Sequence, residues 1–201
     1  MAKSVAVPFL RLPDIWKEAE AVRAKCWDST IPVNIDVISE RCFDLLFVPI
    51  PSLSSMVNLD AYVTGNLREI HYDPASIDVR VRFSVAHELG HVVMHPGQIT
   101  TLRSGSYAEW KQTIDNLPDL EWGRAEFQAR EFAGRLLVPK EALITEIGKE
   151  KAKLDGAKKI PDIEHDALAL AVARTICGRF NVSGKVIQMR IKSEGIDLFN
   201  V

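Results

Sequence analysis

The chain lacks the features that would place it in a membrane or on a disulfide scaffold. No apolar run approaches the roughly 18 residues that span a bilayer. The longest uninterrupted one runs only from Ala167 to Ala173. Three cysteines occur in 201 residues, Cys26, Cys42 and Cys177. They are odd in number, widely scattered and contain no CxxC pair, so neither a disulfide framework nor a thiolate zinc site is indicated. Free thiols of this kind suit a reducing cytoplasm. The opening Met1-Ala2-Lys3-Ser4-Val5-Ala6-Val7-Pro8 has one basic residue and an apolar stretch broken by proline, too little for a signal peptide. An excess of one charge is missing too. Lys and Arg number 25 against 27 Asp and Glu, a net charge of −2, which gives no global pull toward nucleic acid or membrane. No internal repeat or low-complexity tract interrupts the chain. A soluble cytoplasmic protein of ordinary composition is expected, 47% hydrophobic and 26% charged, long enough for one domain or one and a half.

What is present is His87-Glu88-Leu89-Gly90-His91. Histidines four apart lie about 40° apart around an α-helix and one turn along it, so both imidazoles face the same way. That suits two ligands of a tetrahedral Zn²⁺. The glutamate between them reaches the open coordination position, where it can take a proton from a water held there. Phe83, Ala86, Gly90 and Val93 fall at helical spacings, and Pro96-Gly97 marks the helix end. Gly90 costs a mid-helix position roughly 1 kcal/mol against alanine, which points to a close approach by another backbone or a substrate strand.

A second amphipathic segment runs from Glu126 to Pro139. Glu126, Ala129, Ala133 and Leu136/Leu137 share one stripe, whose small residues would let this helix pack against the histidine helix and bring Glu126 to the metal. Glu131 points elsewhere on the wheel and is the weaker candidate. The competing reading of Glu126 is a solvated carboxylate paired with Arg130 at i+4.

Together these blocks, Arg80-x-Arg82-Phe83-Ser84-x-Ala86-His87-Glu88-Leu89-Gly90-His91 and Glu126-x-Gln128-Ala129-x-x-Phe132-Ala133-x-x-Leu136-Leu137-x-Pro139, resemble the ImmA/IrrE family of zinc metallopeptidases. The resemblance covers roughly Asn34 to Pro139. It implies that His87, His91 and Glu126 bind zinc and that Glu88 is the catalytic base. It also implies a substrate, since family members cut helix-turn-helix repressors in phage-derived, mobile-element or stress-response circuits. Arg130 stands where the family commonly has Asn, which alters the electrostatics beside Glu126.

Along the chain, helices are expected from Asp14 (as N-cap) to Trp27 and over Ile35 to Cys42, then a strand over Leu45 to Pro49. Ser55–Thr64 and Leu67–Tyr72 flank Gly65-Asn66, the signal of a hairpin with a two-residue turn. This order predicts an α+β fold, a small antiparallel sheet followed by zincin-like helices, with the hairpin as candidate for aligning a substrate backbone. A polar linker from Pro96 to Leu120 joins the two zinc-binding helices as a lid, specificity loop or plain surface insertion. Tyr107 in that region and His95 just before it could polarise a substrate carbonyl, although a histidine placed like His95 more often caps the helix end. A helix begins near Pro139, and Lys149 to Lys159 reads as a solvated mixed-charge stretch.

The division expected is a metallopeptidase-like domain over 1–160 and a helical subdomain over 161–201. In the latter, Asp166–Phe180, the turn Asn181-Val182-Ser183-Gly184 and Lys185–Lys192 resemble a helix-turn-helix. Arg174, Arg179, Lys185, Arg190 and Lys192 make it basic, and Lys185, Gln188 and Lys192 could face DNA. The first expectation is a zinc endopeptidase acting on a repressor protein. The alternatives are a DNA-binding regulator with structural or sensory zinc, and a partner that binds a repressor without cutting it. Nucleic acid is not the favoured partner.

Overall fold

A computed structural model describes residues 6–102, 119–155 and 165–200. The first helix, α1, runs Leu12–Cys26 and starts two residues before the expected cap. Pro13 sits in its first turn, where a missing N–H costs nothing. Asp14 is therefore a first-turn residue paired with Arg11 and not the N-cap. Ile15, Ala19 and Val22 form its buried stripe. The second helix, α2, spans Ile35–Phe43, with Asn34 capping it by accepting from Val37 N–H at 3.1 Å.

Strand β1, Leu46–Pro49, precedes a short helix α3, Leu53–Val57, where a strand was expected. Asp73 explains the difference: its carboxylate accepts from Ser54 N–H at 2.8 Å and from Ser54 Oγ at 2.5 Å, holding that turn in place. Strands β2, Ala61–Val63, and β3, Glu69–Tyr72, form the hairpin. Its connection spans five residues, with Leu67 taking the positive φ of 57° and Asn66 Oδ1 accepting from Arg68 N–H. The two-residue turn is thus corrected, because the Thr64–Asn66–Arg68 bonds build a longer loop. The sheet order is β1-β3-β2. β2 runs antiparallel to β3 in register Tyr62↔His71, whereas β1 runs parallel to β3 in register Phe47↔Ile70. The sheet is mixed because α3 and β2 together provide the crossover that a parallel pair needs. The α+β class stands.

The chain then enters α4, Asp78–Met94, whose N-terminus is held by the Asp60 carboxylate accepting from Ser76 and Arg80. Pro96 does not end helical structure but starts α5, Pro96–Leu102, so the first part of the expected linker is helical. The rest of that linker, with Tyr107, lies outside the described residues. Next come α6, Asp119–Leu137, α7, Lys140–Asp155, α8, His165–Phe180, and α9, Gly184–Ser193. Ser183 caps α9 by accepting from Val186 N–H. The expected solvated stretch Lys149–Lys159 lies partly outside the described residues; within the described part Glu150, like Glu146 just before it, is buried and accepts from Arg179 of α8.

The basic face proposed for α9 is reduced in the same way. Arg190 is fully buried, bonded to Glu131 and Glu194 and stacked over Trp16. Arg190 is therefore an internal counter-charge and the partly exposed Arg179 is paired with Glu146 and Glu150, while Lys185 and Lys192 stay exposed. The cysteine expectation is overturned as well: Cys26 and Cys42 form a disulfide with Cα atoms 6.1 Å apart, and Cys177 is free. Sixteen residues apart in sequence, they meet because α1 and α2 converge.

Helices α4 and α6 are the central pair. A Cβ at Gly90 would lie 3.1 Å from Ala129 Cα, Ala129 O and Phe132 Cδ1. Gly90→Val is expected to lower stability by about 1–3 kcal/mol through overpacking, read as a Tm drop of about 2–4 °C per kcal/mol in a chain of this length. An unchanged Tm would mean that the helices can separate freely.

Hydrogen bonds from Ser54 and Ala75 hold the Asp73 carboxyl below its ordinary range. A depressed pKa adds stability that is present above the unfolded value of about 4 and lost as pH falls through the folded one. Denaturant titrations from pH 5 downward should show wild type losing stability more steeply than Asp73→Asn. Parallel curves would refute this role.

Candidate metal centre

Three side chains bring their donor atoms together where α4 and α6 touch. His87 Nε2 and His91 Nε2 lie 3.1 Å apart. Glu126 Oε2 is 3.2 Å from the first and Oε1 is 3.2 Å from the second. The helical spacing within each element brings this about: His87 and Glu126 each stand three residues before the Gly90–Ala129 contact, one turn along the same faces. Ala129, Ala133, Leu136 and Leu137, the stripe expected to carry Glu126 inward, are all fully buried.

The set fits a divalent cation. Two ligands at the usual distance of about 2.0–2.1 Å in a tetrahedral site stand roughly 3.3–3.4 Å apart, close to the spacings here. Two imidazole nitrogens and a carboxylate are also the donor types of a catalytic zinc site. A grouping of His87, Glu88 and His91, with donor atoms all within 4.8 Å of one another, likewise marks the place. Glu126 is the better third donor of the two glutamates, because it approaches both imidazoles while Glu88 Oε2 accepts from Val63 N–H at 2.9 Å.

Electrostatics agree with this arrangement. Burial alone would raise the Glu126 carboxyl, but hydrogen bonds from His87 and His91 hold it far below the carboxylate range. Burial lowers His91, keeping its ring neutral, and burial pushes His95 down to about 4. Among the described residues no ion pair joins Glu126 to Arg130, which is exposed. The competing solvated-pair reading therefore loses its partner. Glu131 is buried but spends its oxygens on Trp16, Arg190 and Ser193.

Glu88 is nearly buried at 5% exposure, and its bond to Val63 ties it to β2, an edge strand of the sheet. In this hairpin Thr64 N–H donates to Glu69 O of β3 and Asp60 O accepts from Asp73 just past it, so the alternation turns the backbone groups of Ala61 and Val63 away from β3, Val63 toward Glu88 of α4. A cleft of about 310 Å³ lies there, lined by Ala61, Phe83, His87, Glu88, Trp122 and Glu126 among others.

Trp122 escaped the sequence, whereas His95 reads from it as a helix cap or a cleft group, and the cap reading holds. Trp122 stacks on the His91 ring with centroids 5.8 Å apart and planes 8° from parallel. His95 is fully buried, so it does not face the cleft and the carbonyl-polarising role is excluded. It caps α4 through its N–H to His91 O, and its ring lies against His91. Gln128, conspicuous only within the motif, reaches His95 at 2.7 Å and donates to Pro8 O at 2.8 Å.

The Trp122 stack generates a readout. Adding Zn²⁺ to metal-free protein is expected to change tryptophan fluorescence, and Trp122→Phe to remove that change. A full response in the variant would assign the signal to another tryptophan.

A family model described as the IrrE N-terminal-like domain, peptidase M78, matches residues 41–192, further toward the C-terminus than the motifs alone reach. No curated protein matches the chain.

Proposed function

This chain belongs to the M78 peptidase family, with its IrrE N-terminal-like domain, and on that premise we propose that it is a zinc-dependent endopeptidase whose substrate is a helix-turn-helix repressor. The family is one of zinc metallopeptidase-like proteins. The observation that carries the proposal is the convergence of His87, His91 and Glu126 within 3.2 Å of one another, beside a glutamate on the same helix.

In this reading His87, His91 and Glu126 would hold zinc, which would supply a Lewis acid to polarise the scissile carbonyl and activate water. Glu88 is the general base and then the acid: it takes the proton of the attacking water and returns it to the leaving amine. The Val63 N–H fixes the carboxylate while it does so. Near-complete burial keeps bulk water away from Glu88, which strengthens its electrostatic interactions. An extended substrate would lie along the outer edge of β2, its backbone meeting the groups that Ala61 turns outward. Phe83 and Trp122 offer apolar walls to its side chains.

The repressor as substrate rests on the family resemblance, and such a substrate implies action in the cytoplasm. No described helix is long and apolar enough to cross a membrane. The DNA-binding alternative is weakened by the burial of Arg190, which leaves Lys185 and Lys192 as its exposed cations on α9.

Glu88→Gln is expected to retain stoichiometric zinc and to lose on the order of 10²–10⁴-fold in cleavage rate. His87→Ala is expected to lose the metal. The measurements are elemental analysis and, after co-expression with the protein encoded by the neighbouring gene, mass spectrometry for its fragments. Undiminished cleavage by Glu88→Gln would refute the base assignment, and full zinc in His87→Ala would refute the ligand set.

A further inference from the structure

A chain of four groups runs inward from the N-terminal segment to the proposed metal ligand. Pro8 O accepts from Gln128 Nε2 at 2.8 Å. Gln128 Oε1 lies 2.7 Å from His95 Nε2. His95 Nδ1 lies 3.1 Å from His91 Nδ1. His91 Nε2 is the atom facing His87 and Glu126.

The direction of every bond follows from its outer end. A backbone carbonyl has no proton to give, so Pro8 O must face the NH₂ side of Gln128. That leaves the amide oxygen toward His95, whose Nε2 must then carry the proton. In a neutral ring Nδ1 is consequently an acceptor. His91 must donate to it from Nδ1, which leaves His91 Nε2 with a lone pair. The opposite polarity would set the Gln128 oxygen against the Pro8 carbonyl, two acceptors in contact.

The geometry points to His95 as a positioning residue that sets the tautomer and orientation of His91, with Gln128 and the Pro8 carbonyl dictating its polarity. This rests on the zinc reading above. A metal-ligating histidine ordinarily donates its second N–H to a carboxylate, a backbone carbonyl or water. Here a neutral, fully buried imidazole takes that place. The N-terminal residues are held for the purpose: Val7 N–H donates to Glu121 at 2.6 Å, Arg124 donates to Val7 O at 2.6 Å and Gln98 donates to Ala6 O at 2.9 Å.

The test uses the full-length protein and two readouts. Long-range ¹H–¹⁵N spectra of metal-free wild type at mildly alkaline pH should place the His91 proton on Nδ1; a proton on Nε2 overturns the inference. Zinc affinity, by competition with a chromophoric chelator, should fall about 10–100-fold in His95→Phe, which keeps a ring but no acceptor. His95→Asn restores an acceptor oxygen near the Nδ1 position and should recover most of the loss. Wild-type affinity in His95→Phe, or no recovery in a folded His95→Asn, overturns the inference. If His95→Phe fails to fold, the wild-type spectrum decides alone. Absence of zinc binding by wild type refutes the metal reading, and the spectrum still decides the polarity of the relay.

Discussion

Everything at the metal centre depends on how closely α4 and α6 approach. Gly90 and Ala129 mark the contact, and a Cβ at Gly90 would already stand 3.1 Å from the neighbouring backbone. One turn before the contact on either helix, His87 and Glu126 come within 3.2 Å of each other. A wider separation would move Glu126 away from both imidazoles together, because both distances share the same interhelical gap. The helix propensity lost at Gly90, roughly 1 kcal/mol, is thus the local cost of bringing two elements into one donor set. Phe132, one turn past Ala129 and fully buried, closes the contact on the other side.

The site combines depths that suit different tasks. His91 is buried under Trp122 and His95, so its ring has little freedom, whereas His87 and Glu126 are partly open to the cleft. Glu88 sits between these extremes, buried yet tied to β2. The sheet therefore has a second purpose besides filling the core. Val63 is buried in the hydrophobic cluster by its side chain and bonds Glu88 by its amide. One residue links the edge strand to the proposed general base, so strand position and base orientation are mechanically coupled.

The histidine helix, the Glu126 stripe and the α+β class were legible in the sequence because each rests on a local period. Helix boundaries drifted by a residue or two for the usual reason, that caps are decided by single hydrogen bonds. What was not legible depended on distant partners. Ser54 and Asp73, nineteen residues apart, turn an expected strand into α3. His95 reads from its position as a helix cap or a cleft group, and it is the cap that holds; its ring contact with Gln128, thirty-three residues on, could not be read from the sequence. Cys26 and Cys42 pair only because α1 and α2 converge.

The charge of the C-terminal segment shows the same limit most sharply, and it explains why a family match should extend to residue 192. A count of side chains makes α9 basic. Arg190, however, lies inside the protein against Glu131, and Glu131 belongs to α6, the helix that carries Glu126. Five residues apart, the two carboxylates point about 140° away from each other, one toward α4 and the other toward α1 and α9. Gly134 on the same helix leaves the room: a Cβ there would stand 2.8 Å from Arg190 Cδ. With Arg190 truncated and α9 still in place, the Glu131 carboxylate would be buried beside Trp16 with its counter-charge gone, a state that costs about 3–5 kcal/mol. The C-terminal helix is therefore a requirement of α6, and through α6 of the donor set itself.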